Sequence, residues 1–179
     1  MSVQLADSRD VAISRALLAQ GRGWHVSDVT FRAMSPRSRF ESRHDGVAIV
    51  AVTHGSFRYR ASRGCVTLMP GALMLGNAGD AFDCAYDDSW GDRCVSFGYT
   101  REFFERVTSA VAGASRTGFR THRIPPTPGA IALTAAIEIG RASADRVSWH
   151  RNVNRITSQQ RVVLLFHPEV AASLASDKT

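Results

Sequence analysis

Between Gly46 and Tyr99 the chain is cut into short apolar runs by glycine, and no other stretch restricts its fold as strongly. It opens GVAIVAVTHGSFRYRASRGCVTLMPGALMLGNAG and closes GDRCVSFGY. Runs of four to eight residues between turn signals read as strands of a small barrel or sandwich, not as a nucleotide-binding α/β sheet. Val47–Thr53 is apolar at successive positions, so both of its faces are expected to be buried. His54-Gly55 turns the chain, and Ser56–Arg60 is expected to return as the second arm of a hairpin. There Phe57 and Tyr59 point one way, Arg58 and Arg60 the other. Turns at Arg63-Gly64, Pro70-Gly71 and Gly76–Gly79 separate further strands, for a total of eight to ten.

The segments before this stretch are less regular. Val11, Ile13, Leu17 and Leu18 form an imperfect helical stripe, so residues 1–23 read as an arm carrying a short helix. Trp24–Phe31 reads as a strand that switches its apolar face near Asp28, as at a bulge.

After Tyr99 the period changes. Thr100 is placed to cap a helix with Glu102 in its first turn, and Phe103, Val107 and Val111 make its stripe to Gly113. Phe119–Ile124 reads as extended and returns to the barrel. Thr127-Pro128 pairs a capping hydroxyl with a proline at the first helical position. The helix that follows, to about Ala144, carries Ile131, Leu133, Ile137, Ile139 and six alanines. It lacks a polar face, so burial on two sides is expected, the second against another subunit. A last helix is expected over Asn152–Phe166, and Pro168 breaks it.

Composition closes several routes. With 179 residues, 44% hydrophobic and 21% charged, the chain suits one soluble domain with a short extension. No apolar run nears the roughly 20 residues of a membrane-spanning helix, and the N-terminus is no secretory signal, which points to the cytoplasm. Three cysteines, Cys65, Cys84 and Cys94, argue against a disulfide framework and read as buried thiols. The net charge is +6, almost all from arginine. Eight arginines lie between Arg22 and Arg63, while Asp80, Asp83, Asp87, Asp88 and Asp92 cluster later. That is read as a bipolar surface, with an anionic effector or nucleic acid as the sharper alternative.

Catalytic signals are few. The six histidines form no HxH, HxxxH or HExxH pattern, so no metal site is expected. There is no GxSxG elbow and no phosphate-cradling loop, and the acidic pairs lack an apolar surround. No catalytic residue and no cofactor is assigned. A pocket inside the barrel remains, with Trp24, Phe57, Tyr59 and Phe82 as apolar candidates and Arg39, His44 or Arg58 as polar partner. Alternation does not say which face points inward.

The order of the Gly55–Tyr59 G-x-F-x-Y segment, the Gly64–Gly71 turn, the strand ending at Gly79 and the GDRC-x-x-F strand at Gly91–Phe97 resembles the N-terminal domain of AraC-type transcriptional regulators. The resemblance covers about residues 24–140. It implies a cupin-like double-stranded β-helix, or jelly-roll, barrel over residues 24–100 that senses a small-molecule effector. It also implies an antiparallel helical segment over residues 101–166 that forms a homodimer. Residues 167–179 then look like the start of a helix-turn-helix domain, through which such regulators bind promoter DNA and whose remainder is expected to be missing here. Metal-dependent cupins carry inward histidines where this chain reads HGSFRYRA, which favours a non-catalytic barrel. Two alternatives stay open: a small metal-dependent cupin enzyme, and a stand-alone antagonist that forms mixed dimers with a full-length regulator.

Overall fold

The computed structural model describes residues 10–35, 37–86, 91–109 and 118–142. The strands are β1 (Val11–Gly21), β2 (Trp24–Ala33), β3 (Arg39–Arg43), β4 (Val47–His54) and β5 (Phe57–Ala61). They continue with β6 (Gly64–Leu68), β7 (Leu73–Gly76), β8 (Ala81–Ala85) and β9 (Asp92–Tyr99). Helix α1 (Arg101–Thr108), β10 (Arg123–Ile124) and α2 (Pro128–Ala142) follow. One antiparallel sheet has the order β1-β2-β9-β4-β7-β10, and a second faces it as β3-β8-β5-β6. The chain changes sheet repeatedly along β2–β5 and again along β6–β9, which is the interleaving of a jelly roll.

Two expectations about pairing are corrected by this topology. Val11–Gly21 is a strand, not a helix: Val11 pairs with Ala33 and Gly21 with Trp24 across the Arg22-Gly23 turn. Its apolar residues serve a strand with a bulge between Leu17 and Ala19. After the bulge Ala19 turns to the outer face, and this produces the irregular spacing that mimics a helical stripe. The second correction concerns β4 and β5. The turn at Gly55 is present, with φ +76, but it carries the chain from one sheet to the other. β4 pairs with β7 and β9, whereas β5 pairs with β6 and β8, so the two do not form a hairpin.

Two cores explain why β4 is apolar on both faces. Val50 and Val52 face the second sheet and pack with Phe57, Tyr59, Leu68 and Cys84. Ile49 and Ala51 point the other way, with Leu73, Leu75, Val95 and Phe97. The outer face is covered by Phe104 from α1, by Phe119, and by Ala130 and Ile137 from α2. Each buried valine, leucine, isoleucine or phenylalanine among these contributes about 1.5–3 kcal/mol. The apolar residues of β2 do change face as expected, Trp24 and Val26 outward and Phe31 inward, but no bulge near Asp28 makes the change, because both faces of the strand are covered. Its register with β9 is unbroken from Trp24↔Tyr99 to Phe31↔Asp92. Val26 belongs to the outer core and Phe31 packs on the inner one.

The helix caps follow the sequence reading. Thr100 Oγ1 accepts from Phe103 N at 3.2 Å, but α1 ends at Thr108 with Ser109 as its C-cap, short of the expected stop near Gly113, and Val111 lies outside the described residues. Thr127 Oγ1 accepts from Ala130 N at 3.2 Å, ahead of Pro128 at the first turn of α2. β10 returns the chain to the barrel by pairing with β7, close to where an extended segment was expected. Among the described residues, α2 is buried on one side only. Ala130, Thr134 and Ile137 face the sheet, Leu133 is half-buried against it, and Ile131 and Ile139 are 49% and 71% exposed. A polar clamp secures the far end of α2. Arg93 on β9 donates from Nε to Asp28 Oδ1 at 2.9 Å and from a terminal nitrogen to Oδ2, and Arg141 lies 3.9 Å from the same carboxylate. Arg141 also pairs with Glu138 at 2.7 Å.

Cys84 and Cys94 are buried free thiols as expected, but Cys65 is exposed, because it sits on the outward face of β6 opposite Arg60. Among the described residues no helix is long and apolar enough to cross a membrane. The expected helix over Asn152–Phe166, residues 167–179, and the Asp87-Asp88 loop lie outside the described residues.

Candidate functional site

A cavity of about 130 Å³ lies between the two sheets toward the end of the barrel where β4 begins. Its existence follows from side-chain size along one row of the larger sheet. His25 on β2 pairs with Gly98 on β9, Gly98 with Ala48 on β4, and Ala48 with Gly76 on β7. Three of the four positions in this row carry a methyl group or less, so the row cannot fill the space to the opposite sheet. The next row, Ser96, Val50 and Met74, is larger and forms the inner wall. Phe40, Phe57 and Phe82 close the cavity from the second sheet, and β1 supplies Ile13 and Arg15 at one side.

Two imidazoles occupy the ends of that row. A Cβ added at Gly98 would collide with the His25 ring, and one at Gly76 would collide with the His44 ring. Each glycine therefore serves as a pad on which a histidine lies flat against the sheet. Gly98 and Gly76 are two strand spacings apart, about 10 Å, with Ala48 between them. The floor over Ala48 thus lies open between two hydrogen-bonding rings.

His44 is held by several contacts. Its backbone N donates to Asp80 O at 3.0 Å, and its carbonyl accepts from Gly79 N at 2.7 Å. Its ring stacks on Phe82 at 4.4 Å, and Nε2 lies 3.1 Å from Tyr59 Oη. Burial pushes the His44 pKa down to about 4 despite the opposing pull of Asp80 and Asp45, so the ring is neutral at pH 7. The same burial raises the Tyr59 phenol, which keeps its proton. His25 is also lowered, first by burial and then by the Arg15 charge nearby. Arg15 in turn feels Asp45, and Arg43 donates to Gly79 O across the turn. The cavity is therefore apolar inside, with neutral imidazoles in its wall and charge at its mouth.

The structure distributes the sequence candidates unevenly. His44, Phe57 and Phe82 line the cavity. Tyr59 stands behind His44 as its hydrogen-bond partner, with its ring 6.0 Å from that of His122. Trp24 is on the outer face of β2, where it packs on the outer core, and it does not reach the cavity. Arg39 and Arg58 project from the outer face of the smaller sheet and do not line the cavity either. Their strands pair at Arg39↔Ala85 and Arg58↔Ala85, which places both on one face of the smaller sheet, flanking β8. Sequence reasoning missed Arg15, His25, Ala48 and Gly98. His25 was legible in one respect: it shares its parity on β2 with Val29 and Phe31, which also line the cavity. Gly98 was not, because its role depends on a strand that is its neighbour only in space. Among the described residues no three His, Cys, Asp or Glu side chains gather as a metal site.

Comparison with known proteins adds a family to this geometry. Residues 25–133, well over half of the chain, match the model of the AraC-like ligand binding domain. Among solved structures, a cupin superfamily protein from Desulfitobacterium hafniense is similar with a TM-score of 0.40 at 14% identity, covering 53% of this chain and 82% of that one. The EutQ protein of Clostridium difficile has a TM-score of 0.43 at 13% identity, covering 55% and 81%. The Cupin_2 domain of an XRE family transcriptional regulator from Enterobacter cloacae has 0.42 at 12% identity, covering 51% and 97%. No curated protein matches the chain.

Proposed function

The chain belongs to the AraC-like ligand binding domain family, and from that premise we propose that it is the effector-sensing and dimerisation unit of an AraC-type transcriptional regulator. The observation that carries this reading is the cavity over Gly98 and Ala48, which lies within the matched residues except for Ile13 and Arg15, and is built by five strands of one sheet facing three aromatics of the other. The barrel binds its effector without chemistry and passes the occupied state on to a DNA-binding partner domain.

The route for that signal is short. β4 and β9 carry the cavity on their inner face and the α2 contacts on their outer face. β1, an edge strand, contributes Ile13 and Arg15 to the wall, so an occupant adds contacts to the N-terminal segment. Occupancy shifts the population between arrangements of β1 and α2 to the extent that the ligand prefers one of them. The exposed Ile131 and Ile139 of α2 are the surface assigned to a second copy of the chain, whereas Ile137 and most of Leu133 serve this chain's own core.

A thermal-shift screen against small metabolites tests the sensing half. A ligand present at about 100 times its Kd stabilises by about 2.7 kcal/mol, which for a chain of this size raises Tm by about 5–10 °C. Absence of any stabilising compound, with the folded protein verified, removes the reading. Light scattering tests the dimer half: a dimer is expected for the unmodified chain and a monomer for Ile139→Glu.

A further inference from the structure

The shape and charge of the cavity restrict what it accepts. A volume of about 130 Å³ is close to that of an engineered cavity of about 150 Å³ that takes up benzene, so the enclosed part holds about one ring. The surfaces that meet such a ring are Phe40, Phe57, Phe82, Val50 and Met74. They offer apolar contact, and the serine hydroxyls of the lining, Ser42 and Ser96, are too few to pair with the several hydroxyls of a polyol. Polar groups concentrate instead at the row's two ends and at the mouth.

There the donors converge. Arg15 on β1 and His25 on β2 both line the cavity, so guanidinium and imidazole face the same enclosed space. Among the charged side chains that line the cavity, Arg15 and Arg43 outnumber Asp45, and the mouth is net positive. Among the described residues no salt bridge within 4 Å closes on Arg15. A guanidinium that closes no salt bridge among the described residues, in a wall shared with a neutral imidazole, matches an oxyanion. The gap over Ala48, between the His25 and His44 rings, leads from that region into the aromatic interior.

We propose that the cavity binds a compact organic acid with a single apolar ring, the ring lodged among Phe40, Phe57 and Phe82 and the acid group held by Arg15 and His25. This rests on the sensing role proposed above and names its ligand class. The ring reaches the aromatic wall across the Ala48 gap, and His44 meets its edge as a neutral hydrogen-bonding partner.

Calorimetric titration of the full chain with benzoate, benzamide and myo-inositol tests the assignment. Benzoate is expected to bind at least tenfold more tightly than benzamide, the size of one charge-assisted hydrogen bond, and myo-inositol at least tenfold more weakly still. Arg15→Gln, at an exposed edge position, is expected to reduce the benzoate preference to less than threefold. Ala48→Leu, checked for folding by circular dichroism, fills the gap and is expected to abolish binding of both ring compounds. Equal binding of benzamide and benzoate overturns the acid assignment, and preferential binding of myo-inositol overturns the ring assignment. Benzoate binding that survives Ala48→Leu unchanged places the ligand elsewhere and also overturns it. If none of the three probes binds while the metabolite screen yields a stabilising compound of other chemistry, the ligand class is wrong and the sensing role stands. If the screen is empty as well, both fall.

Discussion

Acid should destabilise this domain through His44, by an amount the site itself sets. The ring is buried against Phe82 and hydrogen-bonded to Tyr59, and its pKa falls from 6.5 to about 4. Between these two values the unfolded chain binds a proton that the folded chain refuses. Stability contributed by neutral His44 is therefore complete above pH 6.5, declines as pH falls, and is fully lost below about pH 4. At about 1.4 kcal/mol per unit, the loss is about 2 kcal/mol at pH 5 and about 3 kcal/mol below pH 4. For a chain of this size, 2 kcal/mol corresponds to a Tm lower by about 4–8 °C. The assay is thermal unfolding of the unmodified chain and of His44→Gln at pH 7.5 and pH 5. Glutamine keeps a hydrogen-bonding group facing Tyr59, and whatever fixed cost it brings cancels when each protein is compared with itself across pH. His25 and His122, lowered by burial in the same direction, titrate in both proteins and cancel likewise. The unmodified chain should lose about 4–8 °C more than the variant. Parallel losses would refute the reasoning, because they would show that His44 is not held neutral by its surroundings.

Three further outcomes follow from the same geometry. Gly98→Ala drives a methyl into the His25 ring, and since that half-buried ring is able to swing toward solvent, the cost should fall at the low end of overpacking, about 1 kcal/mol. The His25 pKa, followed by NMR, should then rise toward 6.5, and an unchanged titration counts against the glycine pad. Asp28→Asn removes the carboxylate shared by Arg93 and Arg141, so stability should drop by about 1–2 kcal/mol and amide exchange in α2 should quicken; unaltered α2 protection means that the clamp does not hold the helix. Thr127→Ala deletes the α2 cap and should cost about 1 kcal/mol in denaturant unfolding, whereas a loss near zero shows that Pro128 alone starts the helix.

Much of the architecture was legible along the chain because it depends on near neighbours. Glycines at turns, the two-sided apolar run of Val47–Thr53, and the capping residues Thr100 and Thr127 act within a few residues of themselves, and each element appears where those signals place it. The departures share one cause. A strand's alternation states which residues share a face, but not which strand lies beside it. Thus Gly55 was a turn on the page, while the change of sheet that it makes was decided by pairing partners tens of residues away. The bulge at Leu18 broke the period of β1, and a short window of apolar residues out of phase is indistinguishable from a helical stripe until β2 supplies the register.

The cavity lies wholly on the tertiary side of that division. Phe57, Phe82 and His44 could be proposed from residue type alone, but Trp24, Arg39 and Arg58 are of the same types and face away from it. What separates them is which sheet each strand joins and which face of that sheet is enclosed. The row of His25, Gly98, Ala48 and Gly76 brings together four residues drawn from positions 25 to 98, and only lateral hydrogen bonding between strands makes them neighbours. The amino-acid sequence by itself determined a glycine-punctuated β barrel with helices behind it, since those are consequences of local backbone freedom and period. Where that barrel is hollow depended on small side chains meeting across strands, and that meeting exists only once the sheet has formed.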